Sequence, residues 1–567
     1  MSQILYKLEQ RISTKPFSKA ADTVTILFFF GFILAPIFGL FATVFLNWET
    51  VTKFVFNDKI LGNQAWQITL TALKHSFQIA FVVMIIDIII GLPMALILAR
   101  YDFRGKEILD SFVDIPMAVP TSALGFSVYL FWGSPDGLAN LLGLDKGLLS
   151  YGPILIIMAH VVFTYPYIVR SLKAVIQDVD LEIELAARTL GAPQFTVFRT
   201  ITAPLFKEGL IAGAILAFSR SLGETGATLL VSGTFETAPI AVVAWVRTLR
   251  IPAAAFLSMI LAVVAIFLLV IIRVLARRVG LPINTVYPSY ERLLSSSASR
   301  YARNLIVFVC FILIVFAPSL FTFFRVAQYW DGSPYPPYRR QAGVIFQIFE
   351  SPDKKFGALF YSLLTSLTVM VIVVGISLVF GIPLALIMVR RQWGLIKGVI
   401  DALIDLPLAI PSSALGFAVF NLWGSTGLGL LKPGIAMIIA AHICMTYPYM
   451  VRPLIAILES VKPEYEEAAR TLGAPVFTTF RTITIPLLSR GIIAACIMAG
   501  TRSLAETGAT IIVQGVSQTI PVLIVVWVES QAISAAAFAS VVLILLSFSF
   551  LIILRILTQD VEETQKG

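Results

Sequence analysis

The sequence predicts an all-α integral membrane protein, a polytopic bundle of about twelve transmembrane helices arranged as two parallel six-helix repeats. Three observations predict it. Hydrophobic residues make up 58% of the chain and charged residues only 13%, about half the charged share of a soluble domain. Runs of roughly 20 apolar residues, long enough to cross a bilayer, recur along the whole length. They lack the period-two alternation that a membrane barrel needs. Finally, the octapeptide AARTLGAP occurs twice, at Ala186 to Pro193 and at Ala468 to Pro475, each time between long apolar stretches.

The first apolar run begins near Val24, after Lys7, Arg11, Lys15 and Lys19. It is long enough to span and has no small-residue cleavage site, so it reads as an anchor. Spans in the first half fall at about 24–46, 70–98, 111–132, 151–172, 207–231 and 253–275. The second half gives about 303–324, 359–389, 400–422, 433–454, 488–513 and 534–556. With six spans per half and a start inside the cell, both termini are expected in the cytoplasm. The clusters Arg100, Arg104 and Lys106, Arg277 and Arg278, and Arg390, Arg391 and Lys397 fall on inner loops, as positive-inside orientation requires. Arg325, Arg339, Arg340, Lys354 and Lys355 fall on an outer loop, but a long one, where charge orients weakly. The cytoplasmic Lys and Arg flanks account for most of the net charge of +9, and no nucleic acid is needed to explain it. Cys310, Cys444 and Cys496 lie in apolar runs with no spaced partner, which predicts neither a disulfide nor a metal site.

The repeat extends well beyond the octapeptide. DIPMAVPTSALGFSVYLFWGS from Asp114 matches DLPLAIPSSALGFAVFNLWGS from Asp405, and AHVVFTYPYIVR from Ala159 matches AHICMTYPYMVR from Ala441. The copies lie 291 residues apart at the first match and 282 at the second, so the first half carries nine extra residues near Pro135 to Tyr151. SRSLGETGAT from Ser219 matches TRSLAETGAT from Thr501. The expected organisation is a first repeat over 1–276 with a polar loop at about 176–205, a cytoplasmic linker over 277–302, and a second repeat over 303–567 with its loop at about 458–487.

Both polar loops have the composition of a helix, a turn and a second helix. Ala468 and Ala469 favour helix and present a small face to a partner. Gly473 ends that helix and Pro475 prevents its continuation. Phe477, Phe480 and Ile483 supply an apolar stripe beyond it. The spacing Glu467-Ala468-Ala469, Gly473, Ile483, Pro486 resembles the Glu-Ala-Ala loop of ATP-binding cassette (ABC) importer permeases. That resemblance covers nearly the whole chain and implies the MetI-like permease fold with two coupling loops that dock on ATPase subunits. The coupling residues it implies are Glu184, Ala186, Ala187, Gly191 and Pro204 in the first half, and Glu467, Ala468, Ala469, Gly473 and Pro486 in the second. The first half departs from the pattern. Leu185 occupies the Glu position, with Glu184 one place earlier and aligned with Glu466, and Ala203 replaces the Leu before Pro204.

No GxxxxGK[ST] phosphate loop occurs in the sequence, so the chain is read as a transport subunit that binds no cofactor itself. The resemblance implies two copies of a partner ATPase carrying ATP and Mg, and an extracytoplasmic substrate-binding protein. An ion-driven secondary transporter is the alternative of another class, and it would not need such loops. A membrane enzyme would need a convergent catalytic set, and neither a zinc motif nor a nucleophile elbow occurs.

For substrate, ARYDFRGKEILDSFVDIPMAVPTSALG from Ala99 looks like the second-to-third-span region of sulfate, molybdate and tungstate permeases. SRSLGETGATLLVSG is similar to the fifth span of the same group, and its GET triplet to phosphate permeases. Both halves in one chain is a feature of iron(III) and thiamine permeases, which keeps those substrates, with phosphate or phosphonate, as alternatives. Arg220 and Glu224, with Arg502 and Glu506, fall near mid-membrane, where ionised groups face protein or water rather than lipid. They form either structural pairs at i,i+4 or the walls of an anion path. Pro116, Pro120, Pro407 and Pro411 break the starts of the third and ninth spans, where non-helical backbone lines a cavity or merely kinks a helix. His160 and His442, each alone in an apolar helix, read first as residues hydrogen-bonded to a neighbour. The aromatic, proline-rich segment QYWDGSPYPPYRR from Gln328 is either a docking site for the binding protein or a plain structured loop.

Overall fold

The computed structural model describes residues 15–59, 62–276, 288–334, 341–353, 355–391 and 394–564. Arg277, Arg278, Arg339, Arg340 and Lys354, and the Tyr335 to Arg340 part of the aromatic segment, lie outside them. Among the described residues, ten helices are long and apolar enough to cross a membrane, and two sharply bent helix pairs bring the number of spans to as many as twelve. The all-α architecture expected from composition is the one found.

The spans of the first half are Lys19–Leu46, Gln64–Arg100, the pair Lys106–Ala118 and Thr121–Leu141, Pro153–Asp178, Gln194–Leu222 and Ile251–Leu268. Those of the second are Ser297–Gln328, Lys355–Arg390, the pair Ile396–Ala409 and Ser412–Trp423, Ile435–Ser460, Val476–Leu504 and Ile533–Ile552. The third and ninth spans bend by 107° and 105°. Val119 and Pro120, and Ile410 and Pro411, are extended at the bends. A proline clashes with helical backbone at the residue before it, so each Val-Pro or Ile-Pro step ends one helix and starts another.

The fifth and eleventh spans differ from expectation. The hydropathy runs 207–231 and 488–513 predict continuous helices, whereas the structure breaks them after Leu222 and Leu504 and resumes at Gly226 and Gly508. Two short apolar helices follow, Ala238–Arg247 and Ile520–Glu529. Hydropathy averages over a break of three residues. The interruption is instead written in Glu224 and Glu506, whose carboxylates accept the N–H groups of Ala227 (3.2 Å) and Ala509 (2.9 Å) and so cap the new helices.

Packing does not follow the two sequence halves. The first span lies against the second half: Phe28 stacks on Phe380 at 3.9 Å, Cys444 donates to the Phe32 carbonyl at 3.3 Å, and Asn421 donates to Thr43 Oγ1 at 2.8 Å. The seventh lies against the first half, where the Thr322 N–H donates to Ser127 Oγ at 3.1 Å and Phe311 meets Tyr165 at 5.8 Å. Arg325, at the end of the seventh span and 1% exposed, pairs with Asp136 in the first half's longer loop at 3.0 Å and lies 3.6 Å over the Tyr329 ring. Burial raises the Tyr329 phenol above its ordinary range, and the Arg325 cation opposes that shift.

Candidate translocation path and coupling loops

Each polar loop is a helix, a left-handed glycine and a second helix that runs on into the fifth or eleventh span. In the first half Leu181–Thr189 is followed by Gly191 at φ +88° and a helix from Gln194. In the second Glu464–Thr471 is followed by Gly473 at φ +87° and a helix from Val476. Asp180 caps the first of these helices by accepting the Glu182 N–H at 2.9 Å. Ala186 and Ala468 are exposed, and so are Leu190 and Leu472 at the helix ends, each 89% exposed. The loops therefore present a small apolar knob on one face of the molecule.

The ion pairs behind the loops identify the equivalent glutamates. Glu184 pairs with Arg100 at 2.8 Å and accepts from Thr202 at 3.1 Å. Glu466 pairs with Arg390 at 3.3 Å and accepts from Thr484 at 3.2 Å. Each pair ties a loop to the end of the second or eighth span. Glu466 is buried, whereas Glu467, the residue singled out by the family spacing, is exposed. Sequence reasoning left Glu466, Arg100 and Arg390 out of the site, although the alignment of Glu184 with Glu466 already carried the signal.

The first loop has a second contact. The stretch read as linker contains a helix, Pro288–Ser295. Glu291 on it accepts from Thr196 Oγ1 and pairs with Arg199 at 2.8 Å, while Ser295 Oγ accepts the Phe195 N–H at 2.9 Å. Arg300 reaches Gln194 at 2.9 Å.

Between the halves lies a cavity of about 210 Å³ whose wall includes Tyr167, Arg220, Tyr449, Arg502 and the Pro407 to Ser412 bend. Arg220 pairs with Glu224 at 2.9 Å and Arg502 with Glu506 at 2.7 Å, each an i,i+4 pair, and both arginines line one space. The glutamates are turned away and buried, 4% and 3% exposed. Tyr167 and Tyr449 were not singled out in the sequence, although they occupy the same place in the matched TYPY segments.

The histidines hold the broken helices in place. His160 Nδ1 lies 2.8 Å from Ser221 Oγ and its Nε2 2.8 Å from Thr228 Oγ1, so one ring bridges the end of one helix and the start of the next. His442 repeats this with Ser503 at 2.9 Å and Thr510 at 2.8 Å. Both ring nitrogens of each histidine are engaged.

Comparison with known proteins agrees with this architecture. The family model described as the binding-protein-dependent transport system inner membrane component matches twice, over residues 87–281 and 377–563. The sulfate transport system permease protein CysT of Salmonella typhimurium is 30% identical over 239 residues, covering 41% of this chain and 83% of that protein. The molybdenum transport system permease protein ModB of Escherichia coli is 34% identical over 197 residues, 33% of this chain and 83% of its own length. A probable sulfate transport system permease protein, cysT of Prototheca wickerhamii, is 29% identical over 198 residues, 35% of this chain and 74% of its own. Each relative is covered over most of its length by less than half of this chain, as expected where one unit is present twice. With the loops, the broken spans and two family matches in place, the chain belongs to the binding-protein-dependent transport system inner membrane components, the permeases of ABC importers.

Proposed function

We propose that this chain is the membrane-spanning subunit of an ATP-driven importer that carries a small tetrahedral oxyanion of the sulfate, molybdate or tungstate class into the cell. The observation that carries the reading is the cavity between the halves, with one arginine from each half in its wall. A guanidinium has five N–H donors, and one carboxylate uses only part of them. The remainder can meet the oxygens of an anion without the wall carrying a large net charge. Low net charge suits a path, because binding must be weak enough for release. The names of the related sulfate and molybdenum permeases support the same class.

The two repeats, 1–276 and 303–567 joined by 277–302, would rock about their shared interface. Arg100, Arg104 and Lys106, with Arg390 and Arg391, are the basic clusters near the coupling loops, and by the positive-inside rule they support a cytoplasmic position for that face and both termini. There the knobs at Ala186 and Ala468 dock two identical ATPases, which bind ATP and Mg. The binding protein delivers substrate to the opposite face. Closure of the ATPases pushes the loops, opens the outer side, and hydrolysis resets the path.

The test is to purify the complex and titrate its binding protein by calorimetry with tungstate, molybdate, sulfate, phosphate, ferric ion and thiamine. Sub-micromolar binding of a tetrahedral oxyanion is the expected result. Ferric ion or thiamine binding would leave the importer and remove the oxyanion. Arg220→Gln and Arg502→Gln, each in folded complex, are expected to lower uptake by about tenfold or more, the worth of a charge-assisted hydrogen bond. Deleting Glu184 to Pro193 should abolish ATP-driven uptake, and surviving uptake would indicate an ion-driven carrier.

A further inference from the structure

Beyond the arginines, the halves meet in a seam formed where the fifth and eleventh spans break. Thr225 faces Gly508 and Thr507 faces Gly226. A Cβ at Gly226 would lie 2.8 Å from the Thr507 side chain and 3.3 Å from Thr121 Oγ1. At Gly508 it would lie 2.7 Å from Thr225 and 2.5 Å from Ser412 Oγ. Four hydroxyl side chains, two from each half and at matched repeat positions, therefore gather around the two seam glycines.

Their hydrogen bonding does not suit a purely structural role. Thr225 and Thr507 are 0% and 2% exposed, and the Oγ1 of each has no hydrogen-bond partner. Along the same spans Ser221 and Thr228 meet His160, and Ser503 and Thr510 meet His442, whereas Ser122 and Ser413, beside Thr121 and Ser412, share the lack of a partner. A buried hydroxyl without a partner costs free energy that valine, of nearly the same shape, would avoid. Thr237 and Thr519 are likewise unpartnered, but only Thr225 and Thr507 face the opposite half across the glycines, where a partner can arrive as the halves part. Ser412 also lines the cavity that holds both arginines, so the seam is the adjoining position on the same passage.

The geometry points to a second anion station: Thr225 and Thr507, with Thr121 and Ser412, form a transient hydroxyl cage for a tetrahedral oxyanion as the halves part. This rests on the oxyanion reading above. Hydroxyl groups donate to anion oxygens without neutralising them, so they hold the ion briefly and let it go. When the halves close, each threonine moves against the glycine opposite, where no Cβ obstructs it. The cage then has no room for the ion, which is left with the arginines. Glu224 and Glu506 do not oppose the anion, because each is held by its arginine and by the N–H of Ala227 or Ala509.

The test uses the full permease assembled with its ATPase and binding protein in proteoliposomes, with radiolabelled sulfate and molybdate as probes. The double variant Thr225→Val, Thr507→Val is expected to lower ATP-driven uptake by about tenfold or more. Its thermal midpoint and basal ATP hydrolysis should match or exceed those of the unaltered complex. The double serine variant, which keeps both hydroxyls, should transport within about twofold of the unaltered complex. Uptake by the valine variant equal to the unaltered complex would overturn the station and leave the oxyanion reading standing. If the double variant fails to assemble, the single valine variants decide, and full uptake in both overturns the station. Absence of oxyanion uptake by the unaltered complex, or of oxyanion binding by its binding protein, removes the reading and the station together.

Discussion

At the residue scale, the coupling loops separate two adjacent glutamates by their surroundings. Glu466 is buried against Arg390 and Thr484, while Glu467 faces outward, free to meet a partner. Breaking a largely buried, hydrogen-bonded ion pair leaves a charge without its partner, a cost of about 1–3 kcal/mol. Glu466→Gln should therefore loosen the loop by roughly that amount, seen as faster hydrogen exchange over 464–486. Glu467→Gln should leave exchange unchanged and act only on ATPase binding. Equal exchange in both variants would contradict this division. In the first half Glu184 fills the buried role alone, because Leu185 stands at the outward position, 46% exposed. The family spacing drew attention to Glu467, and only the contact with Arg390 shows that its neighbour holds the loop.

At the element scale, the glycine turns and the linker helix set how rigidly each loop is held. Gly191 and Gly473 have open space around the missing Cβ but are left-handed, so the penalty for a side chain is one of backbone strain. Gly473→Ala should cost about 1–2 kcal/mol, read as a lower thermal midpoint and weaker ATPase association, with no change in the membrane core. The helix Pro288–Ser295 adds a brace to the first loop through Glu291. Glu291→Ala should raise exchange over 194–202 and leave 476–484 unaffected, and a symmetric response would refute the brace. The composition of PSYERLLSSSASRYARN reads as a polar connection. Its role depends on Arg199 and Thr196, about a hundred residues earlier, which no local pattern reveals.

At the scale of the whole molecule, the halves also touch on the rim away from the coupling loops, where Arg247 and Glu529 pair at 3.1 Å across the interface. Both are well exposed, so the pair itself contributes at most about 1 kcal/mol, and Arg247→Gln should hardly alter stability. Its value is as a reporter of motion. Cysteines at 247 and 529 joined by a short reducible cross-linker should arrest uptake, and reduction should restore it. Continued uptake by the cross-linked complex would mean that the rim does not open during transport. The exchange of first and seventh spans between the halves bears on the same motion, because each half carries a helix of the other and the two cannot separate fully.

Read alone, the amino-acid sequence yields the helical membrane class, the duplication, the loops with their glycine turns, and the proline bends of the third and ninth spans. These follow from local chemistry: apolar run length, a recurring octapeptide, and the steric rule that a residue before proline turns extended. The break at Glu224 and Glu506, the exchanged first spans, and the meeting of Arg220 with Arg502 in one cavity emerge from the folded chain. It alone left Thr225 and Thr507 buried without partners at the seam. Each of these depends on contacts between residues tens to hundreds of positions apart. Hydropathy averages over the three-residue break, and periodicity cannot say which half a helix packs against, because every apolar face suits lipid and protein alike.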